Sequence, residues 1–299
     1  RLAFYGDLDD LATHRPAIAA ADCVIVGSYV PEGRAVIDLV QATARGITAF
    51  YDIDTPVTLA RLTRGDLDYL DAAQIPGFDL YFSFTGGPTL HDIERRFGAR
   101  AARALYCSVD PALHAREEAG ARWDLGYLGT YAEDRQEKLE RLLLAPARAD
   151  PALRGVVAGP LYPEGIGWPA NVARIEHLPP AEHAGFYSRV RWSLNLTRAD
   201  MVAAGYSPSV RLFEAAACGA AILTDPWPGL EEILRHGREC LVVETAADVR
   251  RALALPEAEA RRLGEAARRR VLGAHGSAER ARQVEAEVAA ARARAQVRA

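Results

Sequence analysis

Short apolar runs alternate with amphipathic segments along most of this chain. The runs have the length of strands and are bounded by glycine, proline or aspartate, which interrupt regular structure. They predict strands at residues 22–26, 47–51, 80–84, 104–108, 123–128, 155–158, 172–177, 192–196, 220–224 and 240–243. The segments between them predict helices at residues 32–45, 91–97, 134–144, 180–189, 246–253, 256–272 and 277–295. This alternation is typical of an α/β fold with parallel sheets.

The strand pattern is interrupted between residues 111 and 122, where charged residues and alanine replace it. We therefore predict one domain at residues 1–111, a second at residues 112–276, and a C-terminal helical segment at residues 277–299. The opening residues RLAFYG predict a strand that lies in the middle of a domain. The first domain is accordingly expected to be incomplete.

Residues 206–234 predict a helix, a buried strand and a second helix, with glycines at the joints. Ser207 is expected to cap the first helix, Pro208 suits its first turn, and Gly219 suits the left-handed residue that ends it. Glu214 lies in an apolar part of this helix, where an unpaired carboxylate is costly. Two partners are open for it, a ligand hydroxyl and the side chain of Arg211 three residues earlier.

The amino-acid composition limits the kinds of protein that this chain can be. With 49% hydrophobic residues the chain has enough apolar side chains for a sizeable core. A net charge of −4 argues against a nucleic-acid partner. The chain lacks an apolar run of membrane-spanning length, so a membrane span is not expected. The four cysteines show no C-x-x-C spacing, which is typical of a reduced, cytoplasmic protein.

Several polar residues follow predicted strands, where open parallel sheets bind their ligands. Gly129 and Thr130 form a loop whose amides suit a diphosphate, with Arg135 supplying positive charge; the alternative is a tight turn with a solvated arginine. Asn195 and Arg198 follow the strand at 192–196 and suit a sugar hydroxyl and a phosphate, or they only cap the loop.

The N-termini of two predicted helices contain further candidate phosphate-binding residues. Ser207, Ser209 and Arg211 precede or begin the helix that carries Glu214, and unpaired amides at a helix start attract phosphate. Gly229 precedes the next predicted helix, whose first amides are likewise unpaired and suit a phosphate. His183 and His91, by contrast, are interpreted as surface or capping residues.

Gly86 and Gly87 form a loop before a predicted helix, where their amides suit a phosphate or a transferred sugar.

Asp52 and Asp54 end the strand at 47–51 and allow three interpretations. The D-x-D spacing matches a motif that holds a divalent cation on a diphosphate. Asp54 also suits the cap of a helix that begins at Thr55 and Pro56. As a third interpretation, Asp54 or Asp52 acts as a general base on an acceptor hydroxyl. We prefer the base to the metal ligand, and predict no metal site.

The segment FEAAACGAAILTDPWPGLEEIL at residues 213–234 resembles the donor-binding signature of GT-B glycosyltransferases. DIDTP at 52–56, FTGGP at 84–88, YLGTYAEDRQ at 127–136 and LNLTRADM at 194–201 resemble the CgeB-like (spore maturation protein-like) members of that group. The resemblance covers roughly residues 45 to 275.

The resemblance implies two Rossmann-like domains that face a cleft, with the final helix crossing back to the first domain. It implies a hexosyltransferase-type glycosyltransferase that moves a sugar from a nucleotide-diphosphate donor to an acceptor hydroxyl, without a metal or other cofactor. Glu214 would bind the ribose hydroxyls, and Leu178 would pack against the nucleobase. The first glutamate of the signature falls at Tyr206, so retaining-type chemistry built on that glutamate is in doubt.

Two other functions remain open. A sugar-nucleotide epimerase of the same fold would need carboxylates and histidines clustered at the ligand. A non-catalytic protein that binds a sugar nucleotide or a glycan would need only the donor site.

Overall fold

The computed structural model describes residues 2–66, 68–118 and 120–298, with the side chain of residue 298 excepted. Arg1, Ala119 and Ala299, which belong to the predicted opening strand, interruption and final segment, lie outside the described residues. The chain forms two compact units: unit 1 comprises Arg1–Tyr106 with Arg280–Ala299, and unit 2 comprises Cys107–Glu279. The predicted domain limits lie a few residues from these.

The strands are β1 Cys23–Gly27, β2 Ile47–Asp52, β3 Leu80–Ser83, β4 Ala102–Ala104, β5 Trp123–Leu128, β6 Gly155–Ala158, β7 Val172–Ile175, β8 Val190–Asn195, β9 Ala221–Thr224 and β10 Leu241–Val242. The α-helices are α1 Leu8–Thr13, α2 Arg15–Ala20, α3 Gly33–Thr43, α4 Thr55–Arg64, α5 Pro88–Phe97, α6 Glu133–Leu139, α7 Ala145–Ala149, α8 His183–Ser188, α9 Ala199–Ala204, α10 Val210–Ala217, α11 Leu230–Ile233, α12 Ala246–Leu253, α13 Glu257–Ala274 and α14 Ser277–Arg298. Short 3₁₀ turns occupy Ala72–Gly77 and Pro180–Glu182, and a π-helical segment occupies Glu140–Leu144.

Unit 1 is built on a four-stranded parallel sheet in the order β1-β2-β3-β4. Successive residues of a strand face opposite sides of the sheet, and both sides of β2 are buried. Phe50 packs in a core with Tyr81 on one side. Ala49 packs on the other side in a core that includes Ala291 of α14. Covering both faces explains why these strands are apolar throughout.

Unit 2 is built on a six-stranded parallel sheet in the order β10-β9-β8-β5-β6-β7. The chain runs outward from β5 to β7 and then returns to β8 on the other side of β5. This is the doubly wound order, and its direction reverses between β5 and β8. In such sheets the crevice beyond the carboxyl ends of the strands at the reversal is where ligands bind.

Lys138 on α6 joins the carboxyl ends of two neighbouring strands in unit 2. Its Nζ donates to Oδ2 of Asp225, which follows β9, and to the carbonyl oxygen of Thr197, which follows β8, both at 2.7 Å. The carboxylate of Asp225 also accepts hydrogen bonds from the amide and hydroxyl of Thr197. Because Asp225 is only 4% exposed, this ion pair holds a charge that would be costly alone.

Most predicted strands and helices are present, and the exceptions have physical causes. The strands at 123–128 and 155–158 have the predicted limits. The predicted opening strand is wrong, because residues 2–6 form no strand and α1 begins at Leu8. The predicted strand at 104–108 is also wrong, because β4 ends at Ala104.

The predicted helix at 134–144 is interrupted by the π-helical segment. Pro146 follows that segment and lacks the amide that would continue the regular hydrogen-bond pattern. Among the helices in the described part of the chain, none is long and apolar enough to cross a membrane.

Candidate functional site

Arg211 bridges the two strands at which the sheet of unit 2 reverses. It lies in the first turn of α10 and is 8% exposed. Its Nε donates to the carbonyl oxygen of Leu128 at the end of β5, and its Nη1 donates to Oδ1 of Asn195 at the end of β8, at 2.9 Å. The guanidinium also lies over the ring of Tyr127, 4.7 Å from its centre. A fixed positive charge therefore sits at the reversal point.

A cavity of about 430 Å³ opens at this point, wholly within unit 2. It is lined by the ends of β5 and β6, the segment after β7, and parts of α6, α8 and α10. The residues that line it are Leu128, Gly129, Thr130, Arg135, Gly159, Pro160, His177, Leu178, His183, Tyr187, Ser209, Val210, Arg211 and Glu214.

Two glycines keep the floor of the cavity open. A Cβ atom at Gly129 would lie 2.6 Å from Nη2 of Arg211 and 2.7 Å from the hydroxyl of Tyr127. A Cβ atom at Gly159, whose φ is +136°, would lie 2.1 Å from the carbonyl oxygen of Gly129. Side chains are thus excluded at both positions, and the backbone itself is presented to the cavity.

Arg135 adds a second cation with unused hydrogen-bonding capacity. Its Nη2 donates to the carbonyl oxygen of Thr130 at 2.7 Å, whereas its Nε is buried and has no hydrogen-bond partner. Burial lowers the pKa of Arg135, and the neighbouring charge of Arg211 lowers it further. Two arginines that line one cavity favour an anion of more than one charge.

Glu214 lies on the same cavity and is held by three side chains. Nδ1 of His183 lies 3.2 Å and the hydroxyl of Tyr187 3.3 Å from its Oε2. Nε2 of His114 lies 3.7 Å from its Oε1. Burial would raise the pKa of Glu214, but hydrogen bonding from His183 and the nearby histidine charges outweigh burial and lower it. The same hydrogen bond raises the pKa of His183.

The suggested ion pair between Glu214 and Arg211 is wrong, because the arginine is turned toward β5 and β8 instead. The interpretation of His183 as a surface or capping residue is also wrong. The sequence offered little signal for these contacts. His183 is 31 residues from Glu214 in the chain, and His114 lies in the predicted interruption between domains.

The other predicted donor-binding residues divide into two groups. Ser209 and Leu178 line the cavity.

The predicted cap is wrong by two residues, because Ser209 rather than Ser207 occupies the N-cap position of α10, and its side chain makes no capping bond. Pro208 consequently precedes the helix. Gly219 ends it with φ of +74°, as predicted.

Asn195, Arg198, Ser207 and Gly229 are not among the described residues that line the cavity. Asn195 is 1% exposed and serves as the acceptor for Arg211. Arg198 lines a separate open depression beside α6 and α9. Gly229 begins α11 with φ of +91°, and a Cβ atom there would lie 2.5 Å from the ring of Tyr206.

In unit 1, Asp52 is fully buried at the end of β2. It accepts hydrogen bonds from the hydroxyl of Tyr81 at 2.7 Å and that of Thr58 at 2.8 Å. Burial raises its pKa to about 6, and these hydrogen bonds oppose part of that rise.

Asp54 is partly exposed at the start of α4, and its carboxylate accepts a hydrogen bond from the hydroxyl of Tyr29 at 2.9 Å. Asp54 occupies the predicted N-cap position of α4, which begins at Thr55 with Pro56 next, but its side chain makes no capping hydrogen bond.

Gly86 and Gly87 precede α5 in unit 1. A Cβ atom at Gly86 would lie 2.1 Å from the hydroxyl of Tyr106, and Gly87 has φ of +59°. Packing and backbone conformation therefore account for both glycines, and their predicted contact with a sugar stays a prediction. Within residues 2–66, 68–118 and 120–298, no three His, Cys, Asp or Glu side chains are grouped to hold a metal ion.

Comparison with known proteins gives one family and several similar structures. The family model described as Glycosyl transferase-like matches residues 135–286, just over half of the chain. A search of the curated proteins found no match. The structure resembles HepE of Anabaena solved with UDP-glucose (TM-score 0.68, 12% identity, 97% of this chain and 85% of that one).

It also resembles sucrose-phosphate synthase of Thermosynechococcus elongatus (TM-score 0.67, 16% identity, 93% of this chain and 76% of that one). A third similar structure is α,α-trehalose 6-phosphate synthase of Burkholderia multivorans (TM-score 0.65, 15% identity, 97% and 75%). At these identities the likeness establishes the fold. The predicted α/β architecture of GT-B type, with parallel Rossmann-like sheets, is confirmed.

Proposed function

The chain belongs to the Glycosyl transferase-like family, and from that premise we propose that it transfers a sugar from a nucleoside-diphosphate donor to an acceptor hydroxyl. The observation that carries this proposal is the pair Arg135 and Arg211 at the cavity where the sheet of unit 2 reverses. The guanidinium of Arg135 lines the cavity, where its charge matches phosphoryl oxygens. A diphosphate is the leaving group that such a pair stabilises.

Glu214 supports the nucleoside part of the proposal. Its carboxylate borders the same cavity and is held in its ionised form by His183. An ionised carboxylate only accepts hydrogen bonds, so it suits two neighbouring ribose hydroxyls. Leu178 lines the cavity as an apolar surface for the base. Because HepE was solved with UDP-glucose, uridine is the first base to test.

Metal independence is part of the proposal and rests on charge. The two arginines supply the positive charge that a divalent cation supplies in other sugar transfers. Asp52 does not suit a cation, since both of its oxygens accept hydrogen bonds from Tyr81 and Thr58 inside the core. We also propose membership of the CgeB-like subgroup and a cytoplasmic location, on the motifs and cysteine usage given above.

The acceptor base is assigned to Asp54 in preference to Asp52. Asp54 is the more exposed carboxylate at the carboxyl edge of the sheet of unit 1. It would take the proton of the acceptor hydroxyl while the oxygen attacks the anomeric carbon. The acceptor is a glycan, a protein or a small molecule with a free hydroxyl.

A second candidate function is supported by the histidines. His183 and His114 flank Glu214, which is the kind of cluster that a sugar-nucleotide epimerase needs. In that case the sugar would remain on the diphosphate and only its stereochemistry would change. The two reactions therefore differ in whether free nucleoside diphosphate is released.

The test begins with ligand-induced stabilisation. UDP, GDP, dTDP and their sugars are screened by thermal shift with the wild type, Glu214→Gln, Arg135→Gln and the exposed control Glu231→Gln. A ligand at 100 times its Kd stabilises the folded state by about 2.7 kcal/mol. We expect one nucleotide to stabilise the wild type and the control but neither cavity variant. Equal stabilisation of all four proteins would contradict the donor site.

Product analysis with the identified donor then separates the functions. Release of nucleoside diphosphate with a glycosylated acceptor supports transfer, and an isomerised donor supports epimerisation. Binding without any product would support the non-catalytic alternative. Addition of EDTA is expected to leave the rate unchanged, and a rate restored only by Mg²⁺ or Mn²⁺ would contradict metal independence.

A further inference from the structure

The segment after β5 and the segment after β6 are hydrogen-bonded to each other beside the cavity of unit 2. The amide of Gly129 donates to the carbonyl oxygen of Ala158 at 2.9 Å, and the amide of Tyr131 donates to the carbonyl oxygen of Pro160 at 3.0 Å. Between them, the amide of Thr130 donates to no residue in the described part of the chain. Thr130 is exposed and lines the cavity, so its unused amide suits a ligand oxygen.

Tyr162 adds a side-chain hydrogen bond between the same two segments. Its hydroxyl donates to the carbonyl oxygen of Gly129 at 3.1 Å. Its ring packs edge-on against that of Tyr131, with the ring centres 5.6 Å apart, and is half-buried against the core of unit 2. Tyr162 is not among the described residues that line the cavity. It therefore reaches the cavity only through Gly129.

Arg174 on β7 fixes the beginning of the segment after β6. Its Nη1 donates to the carbonyl oxygen of Val157, and its Nη2 donates to that of Gly159 at 3.0 Å. Its guanidinium carbon lies 4.3 Å from the ring centre of Tyr162 and 4.5 Å from that of Trp168. The two rings hold the cation by cation–π attraction, and its planar shape allows it to bond two carbonyl oxygens at once. These three side chains form an edge cluster beside β7, the last strand of the sheet.

The segment after β6 has a strained backbone that needs such support. Gly159 has φ of +136°, and Leu161 has φ of 68°, in a region that a bulky residue seldom adopts. The side chain of Leu161 is 77% exposed, so packing contributes little to holding it there. Strain of this kind persists where the surroundings fix it, and it concentrates at functional sites. Arg174 bonds the residue two before Leu161, and Tyr162 directly follows it, so the edge cluster fixes the segment on both sides.

We infer that Tyr162 and Arg174 are positioning residues for the donor diphosphate, because they hold the backbone of Gly129, Thr130 and Gly159 in the arrangement that receives it. This inference rests on the proposed transfer reaction. Arg174, like Tyr162, is not among the described residues that line the cavity, so neither side chain is expected to touch the donor.

This role predicts which part of the donor is affected when the edge cluster is altered. Gly129, Thr130 and Gly159 follow β5 and β6 and belong to the proposed diphosphate end of the cavity. Leu178 and Glu214, which belong to the proposed nucleoside end, lie after β7 and on α10. Loss of the edge cluster should therefore weaken the binding of a nucleoside diphosphate and leave that of the free nucleoside unchanged.

The binding experiment compares UDP with uridine in the wild type, Tyr162→Phe and the control Tyr131→Phe. GDP with guanosine, or dTDP with thymidine, replaces this pair if the nucleotide screen selects another base. Tyr162→Phe removes the hydroxyl and keeps the ring that lies against Arg174. We expect the Kd of the diphosphate to rise about fivefold, as for the loss of one hydrogen bond, and the Kd of the nucleoside to stay the same.

Tyr131→Phe is the matched control. It removes a tyrosine hydroxyl from the neighbouring segment, and that hydroxyl has no hydrogen-bond partner among the residues that the structure describes. Both dissociation constants should therefore equal those of the wild type. A merely structural role for Tyr162 would weaken the diphosphate and the nucleoside by the same factor. That result, or an unchanged diphosphate affinity in Tyr162→Phe, would overturn the inference.

Arg174→Lys separates the shape of this side chain from its charge. Lysine keeps the positive charge but lacks the planar group that bonds two carbonyl oxygens and packs against both rings. We expect the Kd of the diphosphate to rise about fivefold in this variant, again without a change for the nucleoside. Wild-type affinity in Arg174→Lys would show that charge alone suffices, and would overturn the positioning role of Arg174.

Amide hydrogen exchange, followed by NMR, tests the connection without any nucleotide. In Tyr162→Phe we expect the amide of Gly129, which bonds to the segment after β6, to exchange about fivefold faster than in the wild type. Amides inside β8 should exchange at the wild-type rate, and Tyr131→Phe should match the wild type at Gly129. Unchanged exchange at Gly129 in Tyr162→Phe would overturn the connection between the two segments.

The two experiments also distinguish this inference from the proposed function. If no nucleotide binds the wild type, the proposed function fails, and the exchange at Gly129 still decides whether Tyr162 holds the two segments together. If a nucleotide binds but the variants weaken the diphosphate and the nucleoside alike, the donor site stands and the positioning role fails. Near-ultraviolet circular dichroism of each variant verifies that it has folded.

Discussion

Nδ1 of His183 lies 3.2 Å from Oε2 of Glu214, which joins the segment after β7 to the middle of α10. This contact orients Glu214, whose carboxylate borders the cavity of unit 2. It also links the protonation of two groups, since it lowers the pKa of Glu214 and raises that of His183. Histidine at this position therefore makes the charge that borders this cavity sensitive to pH.

His183→Ala should weaken donor binding more at low pH than at high pH. Without the histidine, burial raises the pKa of Glu214, so the carboxylate becomes protonated at a higher pH than in the wild type. We expect a loss of about 1.5–3 kcal/mol in binding at pH about 5.5, as is typical for a hydrogen bond to a charged group, and less at pH about 8. Isothermal titration calorimetry with the identified nucleotide measures both values.

The same substitution also changes stability in a defined pH window. The raised pKa of His183 contributes stability that is complete below its unfolded value and is lost as pH rises through its folded value. The difference in unfolding free energy between wild type and His183→Ala should therefore be largest below the ordinary histidine pKa of about 6.5 and should shrink as pH rises above it. His91→Ala, on α5 of unit 1, is the control, and a constant difference would contradict the coupling.

Substitution of Arg211 should mainly lower the stability of the protein, whereas substitution of Arg135 should mainly lower its affinity for nucleotide. Arg211→Met leaves the carbonyl oxygen of Leu128 and Oδ1 of Asn195 without their donor. Each unsatisfied buried group costs about 1–3 kcal/mol, so the unfolding free energy should fall by about 2–6 kcal/mol. Arg135→Met removes a cation from the lining of the cavity, so it should mainly abolish nucleotide binding.

Urea unfolding and thermal shift with nucleotide distinguish these effects. Similar losses of stability in both variants would contradict the assignment of Arg211 as the bridge between β5 and β8. Retained nucleotide binding in Arg135→Met would contradict the anion site.

Gly129→Ala should disrupt the cavity without an intrinsic backbone penalty. The new methyl group would lie 2.6 Å from Nη2 of Arg211, so the guanidinium must move from its place. We expect nucleotide affinity to fall at least tenfold, which corresponds to about 1.4 kcal/mol. Gly273→Ala on α13 meets no atom within 4 Å and should instead stabilise the protein by about 0.5–1 kcal/mol. Unchanged affinity in Gly129→Ala would show that the cavity does not hold the nucleotide.

Asp52 should make unit 1 less stable as pH rises. Its pKa is raised from 3.8 to about 6, so between these values the folded state holds a proton that the unfolded state has lost. The unfolding free energy should therefore fall by up to about 3 kcal/mol across this window, at about 1.4 kcal/mol per pKa unit. Asp52→Asn should remove this decline, and the partly exposed Asp54→Asn should retain it. Urea unfolding at pH about 4 and about 7 provides the measurement.

The sequence predicted the sheets well because their limits are set by local signals. The strands at 123–128 and 155–158 are bounded by charged, glycine or proline residues, and both have the predicted limits. The apolar run at 104–108 misled the prediction because it continues past the residues that pair with β3. The prediction of one helix at 134–144 missed the π-helical segment at Glu140–Leu144, which precedes Pro146.

The site was less predictable because its contacts join distant parts of the chain. Arg211 and Glu214 are three residues apart on α10, and helical spacing alone suggested that they pair. Their partners were decided by tertiary structure, since the guanidinium reaches β5 and β8 while the carboxylate reaches His183. Sequence analysis named Arg211 and Glu214, which line the cavity, but it did not predict the partners of either side chain.

Lys138 is the single lysine of the chain, and its amine is bound to Asp225 and to the carbonyl oxygen of Thr197. Its side chain is 21% exposed, so an amine-specific reagent must wait for the ion pair to open. The rate at which this one side chain is labelled thus reports how often the ends of β8 and β9 separate from α6. Labelling of Lys138 is therefore a probe of local opening beside the sheet edge where Arg211 and Asn195 lie. Slower labelling on addition of nucleotide would show that this edge has become more rigid.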